Sequence, residues 1–181
     1  MITLVLKTIW LLLPAYTPNN FAVLFGGGKP IDLNKNFIDG RRIFGDGKTI
    51  RGFVAGVIGG IIVANLQLII ERSFGFEVYS SVAHVYIRFL LLVFLLSFGS
   101  MTGDLFGSFV KRRLGFERGR SLPVLDQLMF LVFAYAFASA LDEFHMLFTM
   151  DILITGVIIT PALHLLVNVM AYKLKLKDVW W

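Results

Sequence analysis

The sequence predicts an all-α polytopic membrane protein with five transmembrane helices. Three observations carry that prediction. The chain of 181 residues is 57% apolar and 16% charged, with a mean hydropathy of +0.77, whereas soluble domains hold about 45–50% apolar and about 25% charged residues. Uncharged runs recur at 52–70, 89–103, 127–141 and 152–172, and a membrane span needs about 20 mainly apolar residues. Finally, 14 of the 17 Lys and Arg residues fall within 26–51, 108–122 and the tail from 173. This composition excludes an ordinary soluble domain and a disordered chain. The absence of Cys removes disulfide scaffolds and Cys-based zinc or redox sites.

The first span, 3–23, carries one charge, Lys7, inside its apolar run. Pro14, Pro18, Asn19 and Asn20 follow where a signal peptide would have a small-residue cleavage site, so a retained span with a broken end is expected. The second span is 52–71. The third, 85–107, and fourth, 123–141, reach bilayer length by including their flanks. The fifth is 152–172. With five spans, the three basic segments face one side, and the connections 72–84 and 142–151 face the other. The latter hold Arg72, Glu77, Asp142, Glu143 and Asp151. The positive-inside rule then places the N-terminus outside, the C-terminus in the cytoplasm, and two functional loops, 26–51 and 108–122, on the cytoplasmic face of a single integral-membrane domain, 1–181.

Both inner loops are richer than a tether requires. The first runs from Gly26-Gly27-Gly28-Lys29 to Asp46-Gly47-Lys48-Thr49-Ile50-Arg51 at the mouth of the second span. Glycine lets backbone N–H groups approach an anion, and Lys and Arg neutralise it. Gly47-Lys48-Thr49 matches only the end of a P-loop, and a basic loop lying on anionic headgroups is the alternative. In the second segment, Asp104 sits near the inner end of the third span and Asp126 near the inner start of the fourth. A short turn makes these helices antiparallel neighbours with both carboxylates at similar depth. Ionisable groups in spans are costly and mark candidate functional sites. Two carboxylates beside a phosphate-sized basic cluster suit Mg²⁺; the alternative is that each Asp pairs with a nearby Lys or Arg. Gly99, Gly103 and Gly107 recur at a spacing that permits close helix packing.

Gly103-Asp104-Leu105, Ser108, Lys111-Arg112, Gly115, Pro123 and Asp126 together resemble the signature of the CTP:phosphatidate cytidylyltransferase family, and Lys48-Thr49-x-Arg51-Gly52 resembles its upstream KTxEG element. The Gly-His-Gly-Gly that follows the Pro in that family is missing, Gln127 stands where the family has Arg, and Arg51 stands where it has Glu. These departures and the small size are similar to the family's archaeal branch. The resemblance implies transfer of CMP from CTP to a prenyl-ether glycerol phosphate, an unsaturated archaetidic acid, giving the CDP-lipid and pyrophosphate. It implies that Asp104 and Asp126 hold Mg²⁺, that Lys111 and Arg112 take phosphate oxygens with Arg113 as helper, and that Ser108 supports phosphate or metal. Lys48, Thr49 and Arg51 would face the same nucleotide. Asp46 is a further metal candidate, or simply the Asp of a turn before Gly47.

Asn19 and Asn20 are candidates for the lipid head, or satisfy backbone at a helix break. An interhelical hydrogen bond is the expectation for His164 and Asn168, and an interfacial anchor for Trp180 and Trp181. His84 and His145 fall on the outer side. Two rivals remain. A CDP-alcohol phosphotransferase needs DGxxAR and further acids, which Asp46-Gly47-Lys48-Thr49-Ile50-Arg51 lacks. A transporter would line a midplane path with its charges, whereas these cluster at one face. Topology explains the basic pI, so no nucleic-acid partner is expected. Five spans enclose little volume for a lipid site, which admits a homodimer.

Overall fold

The computed structural model describes residues 2–117, 120, 122, 125–173 and 175. Arg118, Pro123, Lys177, Trp180 and Trp181 lie outside the described residues. Seven helices follow one another: α1 Ile2–Tyr16, α2 Pro18–Phe25, α3 Ile50–Phe74, α4 Tyr86–Arg113, α5 Leu125–Ala138, α6 Asp142–Leu147 and α7 Met150–Lys173. Among the described residues no strand forms.

α3, α4 and α7 are long and apolar enough to cross a bilayer, and α5 is shorter, about 21 Å at 1.5 Å per residue. The first predicted span is split into α1 and α2 at Thr17. The two prolines explain how the break is tolerated. Pro14 lacks the N–H that would bond Trp10 O, and Gln67 Nε2 donates to that carbonyl at 2.7 Å. Pro18 likewise leaves Pro14 O without its helical donor, and Ser97 Oγ of α4 donates to it at 2.9 Å. Neighbouring side chains thus satisfy the carbonyls that proline frees, as apolar surroundings require.

α4 extends to Arg113, beyond the expected end at 107. Residues 108–113, read from sequence as loop, are therefore helical. Lys111, Arg112 and Arg113 occupy the last turn, where cations complement the negative end of the helix dipole. Gly115, with φ +79°, ends the helix as Gly115 N bonds Arg112 O and Phe116 N bonds Lys111 O.

α4 and α5 pack antiparallel through the spaced glycines. A Cβ on Gly99 would stand 2.6 Å from Phe133 O, and one on Gly103 would stand 2.4 Å from Met129 O. The helices approach backbone to backbone there, so Asp104 and Asp126 emerge at the same end of the pair. The core gathers Leu11, Leu12, Leu68, Phe89, Leu96 and Leu131, while α3 and α7 turn Val54, Ile58, Ile154 and Ile158 outward, as lipid contact requires.

At the far end, Glu71 is fully buried. Its carboxylate accepts from Trp10 Nε1 at 2.7 Å and from the amides of Val78, Tyr79 and Ser80 at 2.8–3.0 Å, so it folds the α3–α4 connection. α6 lies in the 142–151 connection, tied to α4 by Arg88–Glu143 at 3.1 Å.

Candidate active site

The α2–α3 loop has only two isolated bridges among the described residues, Pro30 with Thr49 and Asn36 with Arg42. A buried carboxylate organises it instead. Asp32, its side chain wholly shielded, accepts from Arg42 Nη2 at 2.6 Å and Nε at 3.3 Å, and from the amides of Gly45, Phe44 and Asn34 at 2.9, 3.0 and 3.2 Å. Burial alone would raise this carboxyl, but the Arg42 guanidinium and the three amides outweigh it and hold it well below the usual carboxylate range. The Asp32 hydrogen bond, joined by one from Asp46, raises Arg42 in turn. Arg42 Nη1 reaches Asp46 at 2.6 Å.

The loop then docks on the C-terminal end of α4. Arg41 Nη1 donates to Arg113 O at 2.9 Å and to Arg112 O at 3.3 Å, two carbonyls that a helix end leaves without internal partners. Arg113 reciprocates, pairing with Asp39 at 2.9 Å and donating to Arg42 O at 2.6 Å. Its guanidinium also lies 4.8 Å from the Phe37 ring centroid and 5.0 Å from that of Phe109.

Two lysine–carboxylate pairs lie at this junction. Lys48 Nζ from the loop bonds Asp104 Oδ2 of α4. Lys111 Nζ from α4 bonds Asp126 Oδ1 of α5 at 2.7 Å. Asp126 also accepts from Leu122 N at 2.9 Å, at the start of α5 where a negative charge favours the helix dipole. Each aspartate thus has a lysine partner, the alternative weighed from the sequence.

A cavity of about 560 Å³ opens beside them, lined by Arg41, Arg42, Lys48, Lys111 and Arg112 against the acids Asp46 and Glu117. Lys48 and Lys111 line it, while the aspartates sit behind their lysines. Ser108 also lines it, is 5% exposed, and makes no side-chain hydrogen bond among the described residues. Arg112 Nη1 donates to Phe116 O, but its buried Nε has no partner, so this cation retains unused donor capacity. Phe44 and Phe116 add apolar wall.

Among the described residues no cluster of three His, Cys, Asp or Glu forms a metal cage. Two carboxylates next to a strongly basic cavity nevertheless fit Mg²⁺, which takes one or two carboxylates and completes its shell with phosphates and water.

Other predicted residues fall elsewhere. Thr49 caps α3, its Oγ1 accepting from Gly52 N at 3.1 Å. Arg51 turns away from the basic cavity and lines a separate apolar groove of about 540 Å³ with Lys29, Ile50, Val54 and Ile58. Arg113 fastens the loop and does not line the cavity. Asp46 stands at its lip. Asn19 and Asn20 lie in the first turn of α2, half-buried and exposed. His164 accepts or donates at 3.2 Å with Asn168 within α7, and its ring stacks on Phe130 of α5. Sequence reasoning passed over Asp32 and Arg41 as site residues. Asn34, two residues after Asp32, hints at an Asx turn, but nothing local announces an Arg42 partner ten residues away.

Apolar helices of bilayer length and a basic cavity backed by carboxylates define a helical membrane protein with a site suited to anionic groups. Comparison with known proteins narrows this class. A family model described as CarS-like, CDP-archaeol synthase, matches residues 1–181. The curated CDP-archaeol synthase of Archaeoglobus fulgidus is 59% identical over 181 residues, covering 100% of both chains. That of Methanococcus vannielii is 49% identical, covering 100% of this chain and 99% of its own. A solved structure described as an intramembrane enzyme for archaeal membrane lipids biosynthesis aligns with a TM-score of 0.72 at 35% identity, over 91% of this chain and 94% of that one. The chain belongs to the CDP-archaeol synthase family.

Proposed function

We propose that this protein transfers CMP from CTP to an isoprenoid-ether glycerol phosphate, giving CDP-archaeol and pyrophosphate, and that the basic cavity is its active site. The observation that carries the assignment of the site is the pair of lysine–carboxylate contacts, Lys48–Asp104 and Lys111–Asp126, behind that cavity.

The acceptor phosphate is a monoester with a second pKa near 6, so it is mostly dianionic at neutral pH. Its oxygen attacks the α-phosphorus of CTP. A new P–O bond forms there, the bond to the β-phosphate bridge breaks, and pyrophosphate leaves with the electron pair. No general base is needed; the protein must bring anions together and neutralise them. Lys48 and Lys111 are placed for this. In the resting site each neutralises an aspartate. An incoming triphosphate offers each lysine a second anionic partner, and Arg112 supplies unused donors. Ser108 donates a hydroxyl hydrogen bond from the same α4 face. Asp104 and Asp126, released from their lysines, would hold Mg²⁺, which supplies charge neutralisation and orientation of the triphosphate. Thr49 contributes by capping α3 beside Lys48.

The membrane arrangement follows from the same reading. α1 with α2, then α3, α4, α5 and α7, make five crossings, with the basic loops and the cavity on the cytoplasmic face and the N-terminus outside. That face offers CTP from the cytosol, and the bilayer offers the lipid.

The test is direct. Purified protein in detergent is incubated with Mg²⁺, labelled CTP and a prenyl-ether glycerol phosphate, beside Asp104→Asn and Asp126→Asn. CDP-lipid and pyrophosphate from the parent but from neither folded variant support both reaction and site. Product from both variants keeps the reaction and rejects the site. No product with CTP rejects the reaction.

A further inference from the structure

Asp32 touches neither lysine–carboxylate pair and does not line the cavity. Its contacts nevertheless converge on Lys48 by two routes. Ile31 N, one residue before Asp32, donates to Lys48 O at 2.8 Å. Lys48 N donates to Gly45 O at 3.2 Å, and Gly45 N donates to Asp32 Oδ2 at 2.9 Å. Both backbone polar groups of Lys48 are therefore fixed by peptide units anchored at or beside Asp32.

The loop needs such a pin. Residues 33–41 are exposed throughout, so little apolar burial holds them. Gly45 sits at φ +94°, which glycine adopts freely among many conformations, so its hydrogen bonds select this one. Five donor contacts from Arg42, Phe44, Gly45 and Asn34 use both carboxylate oxygens of Asp32. An Asn offers one acceptor oxygen and would turn an NH₂ toward backbone N–H groups or the guanidinium.

We propose that Asp32 is a positioning residue for the transfer reaction: it sets the 42–48 turn so that Lys48 Nζ meets Asp104 and the incoming phosphate. This rests on the cytidylyltransferase reading above.

The experiment is a kinetic double-mutant cycle on the full chain in detergent, using Asp32→Asn, Lys48→Ala and the double variant, with CTP varied at saturating lipid. Asp32→Asn is expected to raise KM for CTP about tenfold or more, the scale of one misplaced charged hydrogen bond. In the double variant, kcat/KM is expected to stay within about twofold of Lys48→Ala alone, because the two act through one group. Multiplying effects would overturn the proposal. So would an unchanged KM with lowered kcat, which is what loss of folded protein alone produces, or a fall in KM, which would mean that Arg42 released from Asp32 binds phosphate instead. Asp32→Glu keeps the charge but shifts it by one methylene, and serves in the same cycle if the Asn variant does not fold. Hydrogen exchange on the parent gives a reading independent of catalysis. The amides of Phe44 and Gly45 are expected to exchange at least about tenfold slower than those of exposed residues 38 and 39, and equal rates would overturn the proposal. A parent inactive with CTP but protected at those amides would reject the reaction and leave the pin standing.

Discussion

Lys48 and Asp104 join the α2–α3 loop to the middle of α4's polar end by a direct ion pair, 56 residues apart in sequence. Each side chain is about a quarter exposed, so the pair sits between water and protein. A pair this exposed to water is open to exchange of its carboxylate for a phosphate. Replacing Lys48 with Met removes one cation from the cavity and leaves Asp104 without that partner. The expected result is a fall of about a hundredfold in kcat/KM for CTP, the usual scale for losing one charge-stabilising contact. Lys111→Met is expected to behave alike. Steady-state kinetics with labelled CTP checks both, and wild-type values in either variant would remove that lysine from the site.

Metal removal separates the two aspartates from simple structural acids. Chelation of divalent ions is expected to abolish CDP-lipid formation, and added Mg²⁺ to restore it. Asp126→Glu keeps the charge and is expected to move the Mg²⁺ concentration for half-maximal activity upward by about tenfold. An unaltered Mg²⁺ dependence in that variant would place the metal elsewhere.

The α4–α5 contact makes a prediction with its own control. A Cβ at Gly103 meets Met129 O at 2.4 Å, whereas one at Gly107 meets nothing nearer than 3.9 Å. Gly103→Ala must therefore separate two backbones and is expected to cost about 1–3 kcal/mol, read as a lower thermal midpoint in detergent. Gly107→Ala is expected to be neutral or slightly stabilising, because helical Ala restricts the unfolded chain. Equal effects from the two would mean that the helices do not cross as described.

The sequence disclosed the helices because burial in lipid writes itself as uncharged runs. Asp104 and Asp126 stood out as carboxylates at the ends of such runs, whereas Ser108 and Lys111 were singled out through the family resemblance. The four-residue spacing of the glycines signalled close helix packing, which α4 and α5 make. The loop was less legible. Asp32, Arg41 and Arg113 work through contacts 10 to 74 residues apart, and no periodicity encodes those. Thr49 and Arg51 follow Lys48 in a basic motif, yet one caps α3 and the other faces an apolar groove. Three positions within four residues at a helix entrance have different surroundings, which composition cannot reveal. The end of α4 was misjudged because charge was read as loop, whereas cations at a helix C-terminus extend the helix.

Asp32 also sets a pH dependence. Its folded-state carboxyl is depressed by Arg42 and three amides against the opposing effect of burial. The stability it contributes is therefore complete above the unfolded value, about 3.9, and is lost as pH falls through that value toward the lower folded one. Asp32→Asn is expected to destabilise the protein by about 2–3 kcal/mol at pH 7. The gap between parent and variant should narrow as pH falls below about 4. Thermal unfolding of both proteins between pH 7 and pH 3 checks this, and a gap that widens at low pH would reverse the sign argued here.

The membrane arrangement is testable because the chain has no Cys, so a single introduced thiol reports its own side. Lys35 lies exposed in the α2–α3 loop and Glu77 lies exposed in the α3–α4 connection. α3 separates them, and its 25 residues span about 37 Å, more than the roughly 30 Å of hydrocarbon. The two positions are therefore expected to face opposite sides. In sealed right-side-out vesicles, a membrane-impermeant maleimide is expected to label Glu77→Cys and to reach Lys35→Cys only after the vesicles are opened. The crossing count is then set by Asp151→Cys, exposed at the start of α7, which should label with Glu77→Cys. Asp151→Cys labelling with Lys35→Cys would mean that α4 and α5 do not both cross, and the short 14-residue α5 would be the helix that fails to.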